Sequence, residues 1–230
     1  MKNPLNIFKR NKESTDPVII IDKCLRTLSN RITESFQEDG YHWSKPWGVK
    51  RFESVVLAKF FMEYSFKIIS EDKLQDDERL AFNTLCTTSF SKLFDSEFSS
   101  VGLNYEDMTE DINSKIEMYF EARRNSKPPH CWHAIYQLVT KTENKEDIQD
   151  DIKNKTSGLE LIRGNENFVS MVPQYESQIK ILRDKVLAFE SAEMMLPHMA
   201  RFTKDKLRLI KLKKIKALSK KMAKEEKSKK

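Results

Sequence analysis

The sequence predicts an all-α protein: a helical bundle of about five helices over residues 15–140, then a polar connector, then a long helical extension ending in a basic helix. Three observations carry this. Apolar residues recur at spacings of three and four along most of the chain, no alternating segment of convincing strand length occurs, and only 5 of 230 residues are Gly, too few for the turns of a hairpin-rich sheet. Leu, Ile, Val and Phe make up about a quarter of the chain, enough to bury a core.

Residues 1–14 are polar and lack a period, and read as a flexible N-terminus. Asp16-Pro17 supplies an N-cap and a residue suited to the first helical position. Ile21, Cys24, Leu25, Leu28, Ile32 and Phe36 then share one helix face as far as Gly40. Tyr41 to Gly48 has the Pro and Gly of a loop, yet its three aromatics, Tyr41, Trp43 and Trp47, are expected to fold back over the core. From Phe52 to Ile69 apolar residues occupy nearly every direction around a helix, which predicts the central helix of the bundle. A third helix is predicted from Asp77 to Phe98. A fourth carries Met108, Ile112, Ile116 and Tyr119 and ends near Asn125, with acids in its first turns and Arg123-Arg124 in its last, as the helix dipole favours. Pro129 opens a shorter fifth helix through Trp132, Ile135, Tyr136 and Val139.

Residues 141–172 are rich in Lys, Glu, Asp and Asn and read as a polar connector holding one short exposed helix. Beyond it, residues 173–230 form the C-terminal extension. Tyr175, Ile179, Leu182, Val186, Phe189 and Leu196 make a narrow heptad-like stripe, with Glu193 standing where an apolar residue is due. Pro197 is expected to end or kink this helix, because it lacks the N–H donor and clashes with the preceding turn.

The net charge of +6 conceals a division. Residues 201–230 hold 14 Lys and Arg against three acids, a net of +11, which leaves −5 for residues 1–200. Such asymmetry marks an arm that meets a polyanion, an anionic surface or an acidic protein. The basic contact surface read from the sequence comprises Arg201, Lys204, Lys206, Arg208, Lys211, Lys213, Lys214, Lys216, Lys220 and Lys221. On one helical wheel the apolar residues of this tail spread widely, which disfavours insertion into a membrane surface. Phe202 is its single aromatic, so it offers no platform for stacking unpaired bases, whereas phosphate contact without sequence readout fits.

Enzyme signatures are missing. GxGxxG, GxxxxGK[ST] and GxSxG do not occur, and no nucleophile is evident. Cys24, Cys86 and Cys131 lie in apolar helical stretches without CxxC spacing and read as reduced core thiols. His130 and His133 are three apart on a helix, but no second Cys or His pair completes a metal site, so they are read as capping or solvent-facing residues beside the core anchor Trp132. The carboxylate pairs Asp107/Asp111, Asp147/Asp151 and Glu190/Glu193 read as solvated helix faces. No apolar run of about 18 residues occurs, and the first ten residues are too polar for a signal peptide, so the expected location is cytoplasmic.

These features support a non-enzymatic interaction protein without a cofactor, metal or small-molecule substrate. It would dock to a partner subunit or its own copy through helix 175–196 and the basic helix 201–222. The alternative is a nucleic-acid-binding accessory protein that uses the basic helix against phosphates.

Overall fold

The computed structural model describes residues 16–38, 47–70, 74–140, 145–210 and 212–228. Those residues form eight α-helices and no strand: α1 (Pro17–Glu38), α2 (Trp47–Ser70), α3 (Asp76–Phe98), α4 (Tyr105–Asn125), α5 (His130–Thr140), α6 (Lys145–Arg163), α7 (Val172–Leu207) and α8 (Leu212–Ser228). The expected N-terminus at 1–14 and the aromatic loop at Tyr41 and Trp43 fall outside the described residues.

Local chemistry sets several boundaries. The Asp16 carboxylate accepts the Val18 N–H at 2.9 Å, opening α1 as an N-cap should. The Glu78 side chain accepts the Gln75 N–H at 3.1 Å and closes the first turn of α3. Asn104 caps α4 by accepting the Asp107 N–H at 3.0 Å. Between α3 and α4 the chain reverses at Gly102, whose φ of 79° is a left-handed conformation suited to glycine.

Helix α2 is the centre of the bundle, packed by α1, α3, α4 and α7. Val55, Val56, Leu57, Ala58, Phe60, Phe61 and Met62 are all fully buried, as a helix apolar on every side requires. The layer between α2 and α4 is aromatic: Phe60 meets Tyr119 and Phe120 edge-on at 5.6 and 5.1 Å.

Three features of the C-terminal half differ from the sequence reading. Helix α7 runs unbroken through Pro197, and the chain turns instead at residues 208–210. Proline in a helix interior costs about 3 kcal/mol, but here Phe189, Ala192, Leu196, Met199, Thr203 and Leu207 are buried on both sides of it. The Ser65 hydroxyl also donates to the Ala200 carbonyl at 3.3 Å, tying α2 to the turn just past the proline. Tertiary burial outweighs the local penalty. Second, the connector is a full helix, α6, that lies against α7. A Cβ on its Gly158 would come within 3.3 Å of the Tyr175 ring, so glycine permits this close approach. Third, the C-terminal segment is no detached extension: α7 packs on α1, α2 and α5, and α8 packs on α3.

Candidate functional site

Helix α8 separates its residues into two faces. Ile215 and Ser219 are buried, with Leu218 and Met222 half-buried beside them. On the opposite side Lys213, Lys216, Lys220 and Lys224 stand exposed at spacings of three, four and four, which places them in one row. The acidic first turn of α3 receives the inner face. Ser219 donates to the Asp77 carboxylate at 2.8 Å, and the Lys216 ammonium lies 3.5 Å from Glu78. No ion pair involves Lys213, Lys220 or Lys224 among the described residues.

The turn at 208–210 explains why the tail lacks a single stripe as a sequence. A single wheel drawn from Arg201 onward loses phase where α7 stops, while the described residues of α8 and of the last turns of α7 each separate buried from exposed positions. At the end of α7, Met199, Thr203 and Leu207 are buried and Arg201, Lys204 and Arg208 form the outer row. This row borders a groove of about 350 Å³ with Tyr64, Ser65 and Ile68 of α2. Asp205 lies in the same groove and pairs with Arg208 at 3.2 Å.

The basic residues read from the sequence therefore divide. Arg201, Arg208, Lys213, Lys216, Lys220 and Lys221 are exposed, whereas Lys204, Lys206 and Lys214 are half-buried. Lys206 faces α1, and Lys211 lies outside the described residues. Lys224, which the sequence reading left out, completes the α8 row. Its i+4 spacing from Lys220 was the available signal.

The heptad-like stripe is occupied within the chain. Ile179, Leu182, Phe189 and Leu196 are buried, and Tyr175 and Val186 half-buried, against the chain's own helices. Phe189 meets the Tyr136 ring of α5 at 5.0 Å. Glu193, the residue that interrupts the stripe, pairs with the His133 Nε2 of α5, and the Lys145 ammonium of α6 lies 3.4 Å away. His133 is thus a buried inter-helix contact and not a solvent-facing residue, while His130 is exposed. Glu193 likewise departs from the solvated face expected of the Glu190/Glu193 pair.

Several buried titratable groups elsewhere are paired between helices. Glu53, buried on α2, accepts from the Tyr119 hydroxyl at 3.1 Å and from the Lys115 ammonium at 2.5 Å. Burial, and next the charge of Glu53, hold the Tyr119 phenol well above its ordinary value. Arg51 binds Glu97 through two hydrogen bonds at 2.7 and 3.0 Å and donates a third to the Thr33 hydroxyl at 3.1 Å. Cys24, Cys86 and Cys131 are free and buried, and burial pushes the thiols of Cys24 and Cys86 up to about 12. Among the described residues no group of three His, Cys, Asp or Glu is placed to hold a metal ion, and no helix is long and apolar enough to cross a membrane. No protein-family model, curated protein or solved structure matches this chain.

Proposed function

We propose that this chain is a non-enzymatic accessory protein that binds nucleic acid through the phosphate backbone. One observation carries the reading: the α8 row of Lys213, Lys220 and Lys224, displayed to solvent by a helix whose apolar face is docked on α3, with Lys216 at the edge of the row paired to Glu78. Eleven residues of helix at 1.5 Å each make the row about 16 Å long, which spans roughly five phosphates of one strand at 3.4 Å per step. A row of ammonium groups neutralises phosphates and reads no bases, so the binding is indifferent to sequence. Among the described side chains of α8 the large apolar ones are buried or half-buried, which leaves no apolar face for a bilayer. The 175–196 stripe packs against the chain's own helices, so this reading draws on the α8 row and not on the stripe.

The test is binding of a fluorescent duplex by the full chain across 50 to 300 mM salt, beside a variant carrying Lys213→Gln, Lys220→Gln and Lys224→Gln. Each phosphate contact contributes about 0.9 to the slope of log affinity against log salt. The triple variant should therefore lower the slope by between about 2 and 3. Equal slopes for the two proteins would refute the proposal.

A further inference from the structure

The groove of about 350 Å³ between α2 and the end of α7 carries charge that the bundle does not use. Three cations line it: Arg201, Lys204 and Arg208. Its one acid among the described residues, Asp205, is taken by Arg208 at 3.2 Å. The side chains of Arg201 and Lys204 make no hydrogen bond or ion pair among the described residues, Arg201 being exposed and Lys204 half-buried. Two positive charges are therefore left over in a groove, where solvent reaches them from one side only. The Ser65 hydroxyl, which also lines the groove, is committed to the Ala200 carbonyl at 3.3 Å.

This second row adjoins the first. Arg201, Lys204 and Arg208 follow one another at spacings of three and four and extend about 10 Å along the end of α7. Arg208 and Lys213 are five residues apart, so the two rows cannot lie more than about 17 Å from each other across the turn. A straight row on α8 follows one strand. A second row that leaves it at a turn departs from that line, and in a duplex the next phosphates in reach belong to the complementary strand, across a groove about 6 to 12 Å wide. Neither row offers a ring to an unpaired base. The Tyr64 ring stacks on Phe60 at 5.7 Å and carries the Arg123 guanidinium 5.6 Å from its centroid, and the Phe202 ring lies under Arg31 at 4.5 Å. Helix α8 has no aromatic residue. A single strand would thus give up its base stacking and gain none in return.

Resting on the nucleic-acid reading of α8, we infer that the α2–α7 groove is a second phosphate seat, in which Arg201 and Lys204 hold the backbone of the complementary strand, and that the ligand is accordingly double-stranded. The α8 row supplies one strand contact and the groove the other. An acidic protein would meet the same charges, but a flexible polyanion such as poly-glutamate carries one charge per residue, about half the linear density of a duplex.

The experiment measures binding of a fluorescent duplex, and of either of its strands alone, by the full chain at several salt concentrations. The single strand should bind at least roughly tenfold more weakly than the duplex, the equivalent of one missing base–aromatic stack. The Arg201→Gln/Lys204→Gln variant should lower the duplex salt slope by between about 1 and 2, on top of the loss from the α8 triple variant. Arg201→Lys, which keeps the charge, should keep the parent slope. Poly-glutamate should displace the duplex at least roughly tenfold less well than unlabelled duplex of equal charge. If the α8 variant lowers the slope and the Arg201→Gln/Lys204→Gln variant does not, the groove is no phosphate seat and only the α8 reading stands. If neither lowers it, both fail. Single-strand affinity equal to that of the duplex would overturn the assignment of a double-stranded ligand, and equal competition by poly-glutamate would give the groove to an acidic protein instead. Circular dichroism of the double variant, expected to match the parent, separates lost contacts from lost fold.

Discussion

Helices α2 and α8 both carry basic side chains, and they use them in opposite ways. On α2 two of the four cations, Arg51 and Lys59, are interior. Arg51 is 7% exposed and held by Glu97 and Thr33, and Lys59 is 4% exposed and paired with Glu63 at 2.8 Å beneath the Phe90 ring. On α8 the lysines line the outer face and the apolar residues carry the packing. A buried charge must find its partner at the moment of folding, because leaving it unpaired is costly; an exposed one stays hydrated and remains available to another molecule. Charge count therefore says little about function until each charge is placed. The whole-chain surplus of +6 comes from the tail, which carries +11 against −5 for residues 1–200.

The largest effect expected from breaking this contrast lies at Glu53. Its carboxylate, 5% exposed, is the joint acceptor for Lys115 and Tyr119 across the α2–α4 layer. Removing one member of a buried pair costs about 3 to 5 kcal/mol. The Lys115 side chain is 28% exposed and can rehydrate, which places Glu53→Ala near the lower figure, about 3 kcal/mol. Denaturant unfolding followed by circular dichroism measures this directly. A loss below about 1 kcal/mol would put the pair in the class of surface ion pairs and erase the distinction from α8.

A smaller effect comes from Glu97, which sits nearer the surface. Its hydrogen bonds from Arg51 outweigh the opposing effect of burial and hold its carboxyl below the ordinary value of 4.5. A folded-state value below the unfolded one means the unfolded chain takes up the proton first. The stability supplied by the pair is therefore fully present above about pH 5 and is lost as the pH falls through the folded-state value. Replacing Glu97 with Gln removes that titration, so stability plotted from pH 6 to pH 3 should fall less steeply for Glu97→Gln than for the parent. Parallel curves would show that Arg51 does not govern this carboxyl.

What the sequence made legible follows the same division. The five helices of the N-terminal half and the central place of α2 were readable because local signals agreed with tertiary demand: Asp16 caps where a cap was due, and α2 is apolar on all sides because it is surrounded. The C-terminal half was legible as helix but not as arrangement. Pro197 is a strong local signal for a break, yet the burial of Phe189 to Leu207 carries the helix through it. Period alone could not tell whether the 175–196 stripe faces another chain or its own α5 and α6. Glu193 held the clue, since an acid inside an apolar stripe needs a partner, but His133 and Lys145 lie 60 and 48 positions away along the chain. The groove between α2 and α7 was invisible for the same reason, because Tyr64 and Lys204 come together only in the folded molecule.

The smallest expected effect on stability is also the most informative about function. Lys213, Lys220 and Lys224 are exposed on the face of α8 opposite Ile215, and Gln keeps nearly the helix propensity of Lys. Changing all three to Gln should alter the unfolding free energy by no more than about 0.5 kcal/mol. Relief of repulsion within the row acts in the stabilising direction, because like charges three or four residues apart on a helix disfavour it. A row that contributes nothing to folding, or slightly opposes it, is what an outward-facing contact surface requires. A loss of about 2 kcal/mol in the triple variant would instead make the lysines part of the α3–α8 contact. The resemblance of α8 to a binding ridge would then be a by-product of packing, and its charges would belong with those of α2.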